Sequence, residues 1–288
     1  MKGRLDIVPG RGAVALAGAL AAAFLLAGCA FVPPEEKAPA AEGESPSDLY
    51  QKLVWSDEFS EGGTGNAPNP DKWSYQTGAG GWGNNEKQTY TDGRANSYVD
   101  GGYLKIRAVK DEAGNWTSAR IRSAGKGDWT YGYFEARIRV PDAKGPWPAF
   151  WMMPTDSAYG EWPRSGELDI MEYAPQVAGL YKAFSTVHYG TSVDLHVFKP
   201  LGAVTDRAIT TGFHRYGLEW KPDSVSWYFD GKKIGNTYFK SGGDWTTWPF
   251  DRNFHFILNV AMGGNLGGDI SPTLTAAAME VDYVRVFR

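Results

Sequence analysis

From about residue 50 onwards the chain is dominated by short runs in which apolar and polar residues alternate. Residues 103–108, 133–140, 224–229, 254–262 and 279–287 each show this pattern, bounded by Gly, Pro, Asn or Asp. A period of two places successive side chains on opposite faces of a strand. Asp230-Gly231 follows the third run and predicts a tight hairpin with a return strand at residues 232–234. No helical stripe of four turns interrupts these strands. Strands without intervening helices predict antiparallel sheets packed face to face as an all-β sandwich.

The one long apolar stretch without strand character lies at the start. Lys2, Arg4 and Arg11 precede an apolar run from Ala13 to Ala27, which has the length of a signal-peptide core and is short for a bilayer span. It ends in Leu26-Ala27-Gly28-Cys29, which resembles the bacterial lipobox, and Cys29 is the only cysteine in the chain. Lipidation of Cys29 accounts for an otherwise unpaired thiol in an exported protein. It also predicts attachment to a membrane through the lipid alone. Phe31 is not the aspartate associated with inner-membrane retention, so an outer membrane or cell surface is the expected destination. The organisation read from these patterns is a lipoprotein signal at 1–28, a lipidated Cys29 with a Pro/Ala/Glu-rich tether at 29–48, and a single domain at 49–288.

Composition refines this picture in two ways. The 36 Gly suit a fold with many turns, and 12 Trp exceed what a core of this size requires. Flat indole faces suit the apolar faces of sugar rings. A formal net charge of −4, more acidic once the basic N-terminus is removed, argues against nucleic acid as a partner.

The densest chemistry lies in Glu167-Leu168-Asp169-Ile170-Met171-Glu172. Alternation puts Glu167 and Asp169 on one face. The five-residue step to Glu172 would turn that carboxyl to the other face, and a β-bulge at Ile170-Met171 restores it. Three carboxyls on one surface raise one another's pKa values, which favours a mixture of carboxylate and carboxylic acid near neutral pH. Retaining glycosidases use such a pair as nucleophile and general acid/base. The competing reading is an acidic edge strand, and the apolar Leu168, Ile170, Met171 and Tyr173 weigh against it.

The same six residues resemble the active-site motif of glycoside hydrolase family 16, in the bulged form of its laminarinase-like branch. Similar segments run through the domain: Trp55-Ser56-Asp57-Glu58-Phe59, Gly81-Trp82-Gly83-Asn84-Asn85-Glu86, Tyr131 to Arg137, Trp147 to Pro154, Val187-His188-Tyr189-Gly190 and Val260 to Asn265. The resemblance implies a jelly-roll of two curved antiparallel sheets with a cleft on the concave face. It implies Glu167 as nucleophile, Asp169 as its assistant and Glu172 as general acid/base. Trp151 and Trp162, with Trp147 nearby, would be stacking platforms. Trp82, Asn84 and Glu86 would reach substrate from a Gly-rich loop, with Arg120, His188 and Asn259 lining the cleft. Arg122 competes with Arg120 for its assignment. No cofactor is implied for the chemistry. One structural calcium ion would sit on the convex side, held by Glu58, the carbonyl of Gly102 and Asp282.

The expected function is retaining endo-hydrolysis of β-1,3-glucan by a monomer. The alternatives are a mixed-linkage β-1,3-1,4-glucanase, an agarase- or carrageenase-type enzyme, a transglycosylase using the same intermediate, and a non-catalytic carbohydrate-binding protein. The last is disfavoured because all three carboxyls are present.

Overall fold

The computed structural model describes residues 50–60 and 65–288. The signal, Cys29 and the tether lie outside the described residues. The strands follow one another as β1 (Leu53–Asp57), β2 (Ser74–Tyr75), β3 (Gln88–Tyr90), β4 (Ser97–Asp100), β5 (Tyr103–Lys110), β6 (Trp116–Ser118), β7 (Arg120–Arg122), β8 (Asp128–Trp129), β9 (Gly132–Arg139), β10 (Pro146–Pro154), β11 (Glu167–Tyr173), β12 (Lys182–Gly190), β13 (His196–Thr205), β14 (His214–Lys221), β15 (Ser224–Phe229), β16 (Lys232–Phe239), β17 (Phe254–Met262) and β18 (Ala276–Phe287). Among the described residues the one α-helix, α1 (Gly264–Gly267), is a single turn.

Two sheets result. The first runs β16-β15-β14-β9-β18-β5-β6-β3, with β1 added beside β18 and β4 beside β5. The second runs β13-β12-β11-β10-β17-β7-β2, with β8 beside β17. Neighbours are antiparallel except for the short β3–β6 pair. The all-β reading from the alternating runs therefore holds, and the run at 254–262 coincides with β17. The hairpin at Asp230-Gly231 also forms. Both residues take positive φ, 48° and 79°, as a two-residue turn compatible with strand twist requires.

The inner faces of the sheets meet in a continuous apolar core. Phe134, Ile138, Leu218, Trp220 and Val284 from the first sheet pack with Phe150, Met152, Leu168, Ile170, Met171, Phe256 and Leu258 from the second. The outer face of the second sheet carries a different set: Trp147, Ala149 and Trp151 on β10, Glu167, Asp169 and Glu172 on β11, His188 on β12, Asn259 on β17 and Arg120 on β7. Strand alternation explains most of this division, since Asp169, His188, Asn259 and Arg120 each sit between two core neighbours.

Close packing in the first sheet depends on Gly217 in β14. A Cβ there would meet the hydroxyl oxygen of fully buried Tyr133 at 2.1 Å. That hydroxyl donates to buried Glu135, which also accepts from Tyr283. We predict that Gly217→Ala destabilises the protein by about 1–3 kcal/mol, the usual cost of forcing bulk into a packed interior. Urea unfolding checks it, and an unchanged midpoint would show that Tyr133 moves aside freely.

Candidate active site

The bulge read from the sequence is present. On one side β11 pairs with β10 as Met171 opposite Phe150, then Asp169 opposite Trp151, so Ile170 is the extra residue. On the other side Asp169 faces Thr186 and Glu172 faces Phe184, leaving Ser185 opposite both Ile170 and Met171. Ile170 and Met171 each lose all solvent exposure in the core. Two consecutive inward side chains return Glu172 to the face of Glu167 and Asp169.

Each carboxyl meets its own partner. Trp162 Nε1 donates to Glu167 Oε2 at 2.7 Å. His188 Nε2 lies 2.9 Å from Asp169 Oδ2. Trp147 Nε1 donates to Glu172 Oε1 at 3.0 Å. Burial, aided by the charge of Asp169, pushes Glu167 up to about 8, although His188 and Trp162 oppose the shift. Burial pushes Asp169 up to about 7, against the hydrogen bond it shares with Glu167. Glu172 rises well above the ordinary glutamate value, first through burial and then through repulsion by Asp169 and Glu167. Two buried carboxyls and a partly buried third, all with upward shifts, cannot all be charged near neutral pH. One holds a proton while a neighbour is ionised, which is the division that acid and nucleophile roles need.

Of Arg120 and Arg122, it is Arg120 that stacks on the cleft indoles. Its guanidinium lies 4.8 Å from the ring centre of Trp82 and 4.7 Å from that of Trp151, sandwiched between the two indoles. Its Nε donates to Gln76 Oε1 at 2.7 Å. Trp151 Nε1 donates to Asn259 Oδ1, Asn259 Nδ2 donates to the Tyr90 hydroxyl, and Tyr90 donates to Glu86 Oε2. Trp82, Arg120, Trp151 and Asn259 therefore form one connected flank.

Two expectations change. Glu86 is not a free arm toward substrate. It is 8% exposed and its Oε2 accepts from both Gln88 and Tyr90, so it anchors the flank from beneath. Asn84 stays partly exposed, 3.5 Å from Glu86 Oε1. Trp147, 9% exposed, is no open platform, because its ring is packed near Ala174 and Ala261 while its N–H holds Glu172. Trp162, at 38% exposed, remains the accessible indole.

For calcium, oxygen donors have the right chemistry. Glu58, however, receives two hydrogen bonds from Arg285, and Asp282 is paired with Arg137 at 2.7 Å. Both carboxylates thus carry guanidinium partners, and nothing in the chemistry is routed through an ion.

Sequence reasoning passed over Tyr90, Gln88 and His196. Tyr90 and Gln88 act through contacts with residues far along the chain, and His196 gives no local sign beyond its position in a strand neighbouring His188.

Residues 83–285 match the family described as Glycosyl hydrolases family 16. A glucan endo-1,3-beta-glucosidase of Cryptopygus antarcticus is 40% identical over 254 residues, covering 81% of this chain and 90% of its own. The laminarinase of Rhodothermus marinus superposes with a TM-score of 0.75 at 38% identity, covering 82% of this chain and 97% of its own. A LamA variant of Z. galactanivorans, crystallised with laminaritriose and laminaritetraose, gives 0.72 at 34% identity over 83% and 100%. With its jelly-roll sheets and clustered carboxyls on the outer face of the second sheet, the chain belongs to glycosyl hydrolases family 16 and is a glycoside hydrolase.

Proposed function

We propose that the protein is a retaining endo-β-1,3-glucanase, exported and anchored to a membrane through Cys29. The observation that carries the catalytic part is the placement of Glu167 and Glu172 on one face, each with its own indole donor, and Asp169 between them. Trp162 holds one oxygen of Glu167 while the carboxylate attacks the anomeric carbon. Glu172, kept protonated by burial and by its acidic neighbours, gives its proton to the departing glycosidic oxygen. The C–O bond to the leaving sugar breaks as the bond to Glu167 forms. Glu172, now a carboxylate, takes a proton from water, and the resulting hydroxide displaces Glu167 from the same carbon. Two inversions give net retention. Asp169 raises the proton affinity of Glu167 in the free enzyme, which makes the ionised group a stronger nucleophile. No cofactor enters any step.

The β-1,3-linked substrate rests on the relatives, which include a glucan endo-1,3-beta-glucosidase and a laminarinase. The exposed Trp162 and the Trp82–Arg120–Trp151 stack offer the aromatic faces that a neutral glucan requires. On laminarin, the first product followed by NMR is expected to be the β-anomer, appearing at internal bonds. Glu167→Gln and Glu172→Gln are each expected to lower kcat by at least about a thousandfold, the scale of loss for a group that acts in the transition state. An α-anomeric product, or near-normal turnover in either variant, would sink the mechanism.

The carboxyl shifts also affect stability. A carboxyl whose folded pKa is raised stabilises the fold below its unfolded value near 4.5, and that contribution is lost as pH rises through about 7 and 8. Replacing Glu167 by Gln removes the carboxyl that is pushed up to about 8, so its thermal midpoint should exceed that of the parent above pH 8 by about 2–4 °C or more. Near pH 4.5 the two should converge. Equal midpoints at high pH would show that the cluster carries no strain of charge.

Lipidation of Cys29 is tested by Cys29→Ser in cells labelled with a fatty-acid analogue. Loss of label with release from the membrane fraction is expected. Retention of both would refute the anchor.

A further inference from the structure

His196 stands at the start of β13, directly across the β12–β13 hairpin from Gly190. Its Nε2 lies 2.8 Å from Nδ1 of His188, and the two rings are near-parallel at 7°. On its other side, the His196 ring centre is 4.6 Å from that of Trp162. The five groups close a loop: Glu167 to Asp169, Asp169 to His188, His188 to His196, His196 against Trp162, and Trp162 back to Glu167.

A neutral imidazole has one donor nitrogen and one acceptor. Nitrogens 2.8 Å apart share one proton, since two bare lone pairs would repel. When His188 carries its proton on Nε2, the nitrogen nearest the Asp169 carboxylate, its Nδ1 is the acceptor, and His196 Nε2 must supply the donor. Burial and the neighbouring His188 both favour neutral His196, which leaves it one N–H to give. Among the described residues the one titratable group against His196 is His188, and His188 in turn faces Asp169, with Glu167 and Glu172 beyond. The hairpin is shaped for this contact. Gly190 has φ of 146°, and a Cβ there would meet the carbonyl oxygen of Leu195 at 2.5 Å and the Cα of His196 at 3.1 Å. Only glycine lets the returning strand begin close enough to set His196 beside His188.

We propose that His196 is a positioning residue, which fixes the tautomer of His188 so that its proton sits on Nε2, the nitrogen 2.9 Å from Asp169 Oδ2. It acts on the nucleophile at two removes and touches no substrate atom in this role. The catalytic consequence rests on the retaining mechanism above, whereas the tautomer of His188 does not.

The chain has four histidines, so imidazole nitrogen-15 spectra of the whole protein are assignable by single substitutions. In the parent, His188 is expected as the Nε2–H tautomer. In His196→Phe that signal should move toward an average of both tautomers. The amide donor of His196→Gln should restore it, because only an N–H is needed. In laminarin turnover, His196→Phe should lose about tenfold in kcat with little change in KM, and His196→Gln should recover most of it. Circular dichroism confirms the fold of each variant. An unchanged His188 tautomer in folded His196→Phe would overturn the proposal, as would a loss confined to KM, which would mark His196 as a substrate contact. If Glu167→Gln proved active, the tautomer result would still decide the role of His196.

Discussion

Three carboxyl groups removed from bulk water on a single strand form the constraint around which this structure is organised. Desolvating a carboxylate is costly unless hydrogen bonds or opposite charge replace its water. Here the compensation comes from three separate elements: Trp147 on β10, His188 on β12 and Trp162 in the loop before β11. None of them neutralises a charge outright. Two are neutral indole donors, and the third is an imidazole, so the cluster keeps its excess proton affinity. A lysine or arginine in the same place would have made a more stable strand and a poor acid.

That balance needs a rigid floor. The core face of β11 supplies it, since Leu168, Ile170, Met171 and Tyr173 are locked among residues of both sheets. The neighbouring flank is built by similar logic. Arg120 brings a cation into the cleft without forming an ion pair with the catalytic carboxyls, because two indole faces hold it in place. The chain from Trp151 through Asn259 and Tyr90 to Glu86 then ties the flank to the loop at Gly81–Gly83. A displacement of that loop would be felt at the stacked arginine, some distance from the reacting bond.

The division between what was legible in the sequence and what was not follows the range of the interactions. Strand alternation is local, so β17 could be placed from its own residues. The bulge was legible because a five-residue interval between two carboxyls is inconsistent with a regular strand carrying both on one face. The burial of Glu86 was not legible because it depends on Gln88 and Tyr90 bonding to it and on Tyr90 meeting Asn259, 169 positions away. Trp147 is a similar case. Its flanking prolines suggested packing and its motif suggested stacking, yet the decisive contact is with Glu172 on the next strand. The arginines beside Glu58 and Asp282 were equally invisible, because Arg137 and Arg285 reach them only through the pairing of β9, β18 and β1.

The bulge itself has a further meaning. A regular strand could place two glutamates and an aspartate on one face with a single residue between each pair, so the extra residue is not needed for facing alone. Its physical effect is to send two large apolar side chains inward in succession and to increase the local twist between Asp169 and Glu172. The first effect anchors the segment at the point of greatest charge repulsion, where a lone inward residue would leave it less firmly held. The second turns Glu172 away from the line of Glu167 and Asp169, toward the indole of Trp147, while the other two stay with Trp162 and His188. Glu172 is thus held from the β10 side, and Glu167 and Asp169 from the loop and β12 side. Separate support of this kind is what the proposed mechanism needs, because it asks two chemically identical side chains, five residues apart, to perform opposite tasks.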